Sequence, residues 1–192
     1  MNAVILCGGQ SRRMGQDKAL LELGGKTMLE YQYQRLVESR LFTEVFLSSK
    51  KHYKGSWGSN IFMDLQEISS PINGLCSILE QSNCEQNFII PVDTPLVSLA
   101  QIQALQEAFR AESNLGVDAL VFKDSSHIHS LLGIYTKKSL SGLYRMLKNN
   151  ILKISEAERF IWIKYLECDE VKFFQNANTK EEYQAILRDF GA

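Results

Sequence analysis

Apolar residues arrive along this chain in two rhythms. Short, mostly apolar runs open at Asn2 and recur over Glu44–Ser48, Asn60–Asp64, from Asn87 up to Asp93, over Val117–Phe122 and over Leu131–Tyr135. Runs of that length and apolarity predict strands buried on both faces. Between them the spacing lengthens to helical period. Leu29, Tyr33, Leu36 and Val37 define one face of a helix that starts at a Thr27/Glu30 capping box and runs to about residue 39. Ser70-Pro71 opens the next helix, to about Gln81, with proline suited to its first turn. Ser98 caps a third, with Ile102, Leu105 and Phe109 facing inward and Gly116 closing the segment. Leu140, Leu143, Tyr144 and Leu147 stripe a fourth, and a Thr179/Glu182 capping box begins a fifth, through Phe190. Residues 50–60 form a polar connection, and 151–167 mix a helical stretch with a strand at Phe160–Ile163. The alternation implies an α/β fold, a mainly parallel sheet with helices on both faces, continuous over 1–192 as one domain.

Composition narrows the function. The 192 residues are 45% hydrophobic, enough for one well-buried core and short for two. A net charge of −1 leaves no global basic field, so neither nucleic acid nor an anionic membrane is expected as a partner. Cys7, Cys76, Cys84 and Cys168 show no Cys-x-x-Cys spacing, which argues against zinc or a redox pair and for free buried thiols. The apolar run before Gly8 is too short for a signal peptide or membrane span, so a soluble, cytoplasmic protein is expected.

The chemistry gathers at the strand ends. After the first strand come Gly8, Gly9 and Gly15, interleaved with Arg12, Arg13 and Lys18. Glycines there let backbone N–H groups converge on phosphate oxygens; Arg supplies a planar fork and Lys a mobile point charge. The dinucleotide fingerprint is absent, and Gly24-Gly25-Lys26-Thr27 lacks the first glycine of a P-loop, since Leu20 stands in its place. Asp93, between Pro91 and Pro95 at the end of a buried strand, is a hard-oxygen ligand where such sheets bind their substrates. Asp64 ends another strand, as a ligand or a turn residue, and Gly74 lets a base or ribose come close. His127 and His129 alternate on an extended segment, pointing the same way, and read as solvent-facing or substrate-lining imidazoles rather than metal ligands. Asn176 and Asn178 alternate before a helix N-terminus, where their amides suit a pterin or phosphate or serve as caps.

Leu6-x-Gly8-Gly9-x-Ser11-x-Arg13-Met14-Gly15-x-Asp17-Lys18 resembles the N-terminal signature of the molybdenum cofactor nucleotidyltransferases, nearest the guanylyltransferases. Further resemblances follow at Pro71-Ile72-x-Gly74, Val92-Asp93-x-Pro95, His129 to Tyr135 and Phe174-x-Asn176-x-Asn178-Thr179. The family pattern is departed from at Ser70, where it has glycine, and at Ser130, where it has proline. The resemblance implies a Rossmann-like fold of the nucleotide-diphospho-sugar transferase type and transfer of GMP from GTP to molybdenum-molybdopterin, with Mg2+ as cofactor. It implies Arg13, Lys18 and Asp93 as catalytic, with Asp93 the metal ligand. It places the nucleotide on Leu6, Cys7, Gly8, Gly9, Ser11, Lys18, Ser48, Asp64, Gly74 and Asp93, and molybdopterin on Asn176 and Asn178. Ser48 stands where guanylyl enzymes often have a nucleotide-contacting asparagine. Transient contact with molybdenum-insertion proteins or recipient molybdoenzymes is implied too. The alternatives are a cytidylyltransferase or sugar-1-phosphate nucleotidyltransferase of the same fold, and a non-catalytic nucleotide or cofactor carrier.

Overall fold

A computed structural model describes residues 1–7, 16–112 and 115–190. Seven strands form the main sheet: β1 (Asn2–Leu6), β4 (Val45–Ser49), β5 (Ile61–Met63), β6 (Gln86–Pro91), β7 (Ala119–Lys123), β8 (Ile128–Thr136) and β9 (Ile163–Glu167), in the spatial order β5-β4-β1-β6-β8-β7-β9. Strands β2 (Glu22–Leu23) and β3 (Lys26–Thr27) make a separate small hairpin. Its turn is Gly24-Gly25, both at positive φ, so the stretch with a passing likeness to a P-loop is a two-residue turn.

Among the described residues five α-helices cover the sheet: α1 (Met28–Ser39), α2 (Pro71–Gln81), α3 (Leu99–Glu112), α4 (Leu140–Lys148) and α5 (Lys180–Phe190). Strand residues alternate between the two faces. Ala3 and Ile5 pack in one apolar cluster with α1, α3 and α5, while Val4 packs in another with α2 and α4. Among the described residues no helix is long and apolar enough to cross a membrane.

The pairs β1–β4, β1–β6, β4–β5 and β7–β9 are parallel, and β8 runs antiparallel to both its neighbours, β6 and β7. This reversal matters for the site. A strand that runs backwards brings its first residues, not its last, to the edge where the parallel strands end.

Three local expectations change. On α1 the inward residues are Met28, Leu29, Gln32 and Leu36, whereas Val37 is 48% exposed. Gln32 can be buried because its amide donates to the carbonyls of Thr94 (3.1 Å) and Pro91 (3.3 Å). The strand expected at Phe160–Ile163 begins only at Ile163. The N–H groups of Phe160 and Ile161 are taken by Ala157 O (2.9 Å each), closing the 3-10 turn Ile154–Arg159. That turn presses on α4 closely enough that a Cβ on Gly142 would lie 2.5 Å from Phe160 O, so only glycine fits there. All four cysteines are free; Cys7 and Cys76 are buried, Cys84 and Cys168 only partly.

Candidate active site

The parallel strands stop along one edge, and a cleft of about 1140 Å³ opens above them. Small-molecule pockets usually span about 300–1,000 Å³, so this one lies just above the usual range. Its walls come from the ends of β1 and β6, from the β7–β8 turn and the start of β8, and from the segment before α5.

At its centre Lys18 joins residues far apart in the chain. Its Nζ donates to Asp93 Oδ2 (2.6 Å) and to Asn178 Oδ1 (2.5 Å). The Lys18 and Asp93 side chains are 18% and 15% exposed, shielded from bulk water but open to the cleft. Each partner has its own support. Lys18 opens the 3-10 turn Lys18–Leu20, whose cap is Asp17, accepting from Ala19 N–H at 3.1 Å. Asp93 follows β6 on a loop braced by Gln32 and by the Thr94 hydroxyl, which donates to Pro91 O at 2.8 Å; the Asp93 carbonyl accepts from Ala177 N–H at 3.2 Å. Asn178 precedes α5, where Glu182 accepts from the N–H groups of Asn178 and Thr179 (2.9 Å each) and the Thr179 hydroxyl oxygen accepts from Glu182 N–H (3.2 Å). The expected second capping box is therefore present. Asn176 Oδ1, in the same wall, is buried without a partner among the described residues. Such an orphan costs about 1–3 kcal/mol, which a donor on a bound ligand would relieve.

Two carboxylates flank this centre. Asp17 lines the cleft beside Cys7, pairs with Lys51 and accepts from the Tyr53 hydroxyl at 2.9 Å. Burial raises the Asp17 carboxyl, but hydrogen bonds from Lys51, Tyr53 and Ala19 outweigh it, and the net direction is downward. Burial, with the Asp17 charge adding, pushes the Cys7 thiol far up and leaves it an unreactive packing group. On the other flank Asp124, 1% exposed, holds His129 Nε2 at 2.8 Å and accepts from the N–H groups of Ser126 (2.6 Å) and His127 (2.7 Å). Burial works against its charge, yet these bonds hold its carboxyl down at about 2. His129 stacks on Phe174 with ring centroids 4.3 Å apart. The two histidines thus part company, His127 exposed and His129 fixed in the wall.

Of the residues expected to act, Leu6, Cys7, Lys18, Asp93, Asn176 and Asn178 meet around this cleft. Ser48, Asp64 and Gly74 sit apart from its described lining. Ser48 is buried in β4, its carbonyl accepting from Cys7 N–H at 2.9 Å. Asp64 follows edge strand β5 and pairs with Lys50 at 3.5 Å. Gly74 lies in the first turn of α2, where an added Cβ would meet nothing within 4 Å. Gly8, Gly9, Ser11 and Arg13 lie outside the described residues. Among the described residues, no three of His, Cys, Asp and Glu converge to hold a metal on their own.

Sequence reasoning had no signal for Gln32, a polar residue on an apolar helix face, or for Tyr53, in a polar loop. Asp124 could have been found: an Asp two residues before Ser126 and three before His127 fits the turn in which a carboxylate caps the following N–H groups.

Comparison with known proteins gives concordant results. Residues 3–161 match the family described as the MobA-like NTP transferase domain. The chain is 32% identical to a molybdenum cofactor guanylyltransferase of Campylobacter jejuni, over 96% of this chain and 94% of that one. In structure it is similar to molybdopterin-guanine dinucleotide biosynthesis protein A of Archaeoglobus fulgidus, with a TM-score of 0.82 at 20% identity, covering 100% and 99% of the two chains. It is also similar to 4-diphosphocytidyl-2C-methyl-D-erythritol synthase of Anaerococcus prevotii, with a TM-score of 0.71 at 13% identity, covering 100% and 98%. At those identities the two solved structures speak to the fold, that of the nucleotide-diphospho-sugar transferases.

Proposed function

The chain belongs to the MobA-like NTP transferase family, with the molybdenum cofactor guanylyltransferases among its relatives, and we propose that its cleft transfers GMP from GTP to the terminal phosphate of molybdenum-molybdopterin. A phosphate oxygen of the acceptor forms a bond to the α-phosphorus of GTP, the bond from that phosphorus to the β-bridging oxygen breaks, and pyrophosphate leaves. The nucleophile has a second pKa of about 6 and is largely dianionic at neutral pH, so it needs no strong general base. The difficulty is bringing two anions together, and the remedy is fixed positive charge.

The observation that carries the reading is Lys18 bridging Asp93 and Asn178 in the wall of the cleft. An ammonium held between a carboxylate and an amide oxygen stands ready to turn onto phosphate oxygens. Arg13, from the family signature, would add a second cation. Asp93 suits Mg2+, which is commonly bound by one or two carboxylates plus substrate phosphates; its Oδ2 bonds Lys18, and its Oδ1 makes no hydrogen bond among the described residues. When bound, the ion would neutralise charge on the triphosphate. Asn176 and Asn178 would hold molybdopterin, the buried orphan oxygen of Asn176 calling for a donor such as a pterin N–H. Transient delivery to recipient molybdoenzymes belongs to the same reading, with Ile128 (47% exposed) and Val171 (45% exposed) as apolar surface at the cleft rim.

Calorimetric titration of GTP, CTP, ATP and UTP with magnesium present tests the nucleotide, and pyrophosphate release with molybdenum-molybdopterin tests the reaction. GTP should bind tightest, and release should require the acceptor and stop when magnesium is chelated. A preference for CTP would overturn the guanylyl reading while leaving the fold.

A further inference from the structure

The strand order divides the cleft at Asp93. On one side lies the end of β1, with Leu6, Cys7, Asp17 and Lys18; on the other lie β8 and β7, with the turn between them. The register shift between Val121 and Phe122 sets His129 opposite Phe122, with Asp124 just beyond on the turn. The Asp124 carboxylate, ionised at neutral pH, can only accept, so His129 Nε2 carries the hydrogen between them. No other hydrogen bond engages the ring among the described residues, and the side chain keeps 15% of its surface exposed on the cleft that it lines, which leaves Nδ1 for a ligand.

The geometry points to His129 as the residue that docks the terminal phosphate of the acceptor, with Asp124 and Phe174 positioning its ring. This rests on the transfer reaction proposed above and assigns a residue to its acceptor half. Among the described residues, three side chains lining that half can carry positive charge: His127, His129 and Lys153. His127 is exposed and Lys153 rides a flexible four-carbon stem, whereas His129 is fixed on two sides, by Asp124 at 2.8 Å and by the Phe174 ring at 4.3 Å. In-line displacement demands a fixed nucleophile, so the fixed ring is the one to hold it. The carboxylates nearby are engaged: Asp93 with Lys18, Glu182 with the N–H groups before α5, and Asp124 with the ring itself. Nδ1 meets the phosphate through one shared proton. A neutral ring accepts from a monoanionic P–OH, and a protonated ring donates to the dianion, so one proton is shared across the contact in both cases.

The test is steady-state pyrophosphate release by the full chain, varying GTP and molybdenum-molybdopterin separately, with thermal unfolding recorded for each variant. His129→Gln and His129→Ala should raise the acceptor KM about tenfold or more, as expected for a lost charge-assisted hydrogen bond, and lower kcat because the nucleophile is held less firmly, while the GTP KM stays within about twofold. Asp124→Asn sets an amide N–H against Nε2 and turns the tautomer round, and should raise the same KM by a smaller factor. An unmoved acceptor KM in both His129 variants overturns the assignment, as does a change in kcat and both KM values together, the mark of a structural role. A wild-type protein that releases no pyrophosphate with this acceptor overturns the parent reaction as well, and so separates the two failures.

Discussion

Asp17 and Asp124 anchor opposite ends of the cleft with different materials. Asp17 is 21% exposed, and its charged partner is a lysine 58% exposed to solvent. Asp124 is 1% exposed, and its partners are two backbone N–H groups and an imidazole itself only 15% exposed. The first corner is held by an ion pair that water and a competing anion can both reach. The second is held by bonds with nowhere else to go. This suits the proposed division of labour: the nucleotide end must take in a triphosphate and let pyrophosphate out, while the acceptor end has only to orient a nucleophile.

The largest effect should come from the cation that the Asp17 corner presents. Lys18→Ala removes charge from the centre of the site but little packing, and kcat should fall about 10²–10³-fold or more, as when a fixed transition-state donor is removed, with the unfolding temperature nearly unchanged. Pyrophosphate release at saturating substrates measures it. Turnover near that of the wild type would strip this corner of its catalytic cargo.

Stability should rank the corners the other way. Asp124→Ala orphans two N–H groups and the His129 ring and should cost about 2–4 kcal/mol in denaturant unfolding. Asp17→Ala orphans one N–H and a tyrosine hydroxyl that keeps a 3.3 Å bond to Cys7 O, and should cost about 1–2 kcal/mol. Equal costs would erase the contrast.

Acid sharpens it. The folded carboxyl of Asp124 sits at about 2, below its ordinary 3.8, so its charged form adds stability that is fully present above about pH 4 and lost as pH falls toward 2. Asn cannot titrate. The stability gap between the wild type and Asp124→Asn should therefore narrow as pH falls from about 4 toward 2. A gap that does not narrow would mean the bonds serve the turn without favouring the charge.

The scaffold was legible because its signals are local. Capping boxes at Thr27 and Thr179 and the apolar strand at Phe88-Ile89-Ile90 each specify their element within a few residues. Lys18, Asp93 and Asn178 could be named from separate motifs, but their meeting spans sequence separations of 75 and 160 residues, which no local pattern encodes. The acceptor corner stayed hidden for a topological reason. His127 and His129 read as a pair on one strand, and only the antiparallel course of β8 puts them at the ligand edge; the turn then gives Asp124 to one ring and leaves the other in solvent. Gln32 was illegible because its burial depends on carbonyls of the Asp93 loop about 60 residues away.

The smallest effect belongs to Lys51. Its ammonium pairs with Asp17 and lies 5.0 Å from the centre of the Tyr53 ring, yet more than half of the side chain is in water. There the Coulomb gain is diluted by high dielectric and offset by the entropy of fixing a long side chain, and exposed pairs typically contribute about 0.2–1 kcal/mol. Lys51→Ala should cost no more than about 0.5 kcal/mol in 0.1 M salt, where the Debye length is about 10 Å, and still less in 1 M salt, where it is about 3 Å. Unfolding in denaturant at the two salt concentrations measures this. The Tyr53 and Ala19 bonds remain to hold Asp17, so the corner should loosen without coming apart. A cost above about 1 kcal/mol that salt does not reduce would make the Asp17 corner as rigid as the Asp124 corner, and the division between an adaptable nucleotide end and a fixed acceptor end would fall with it.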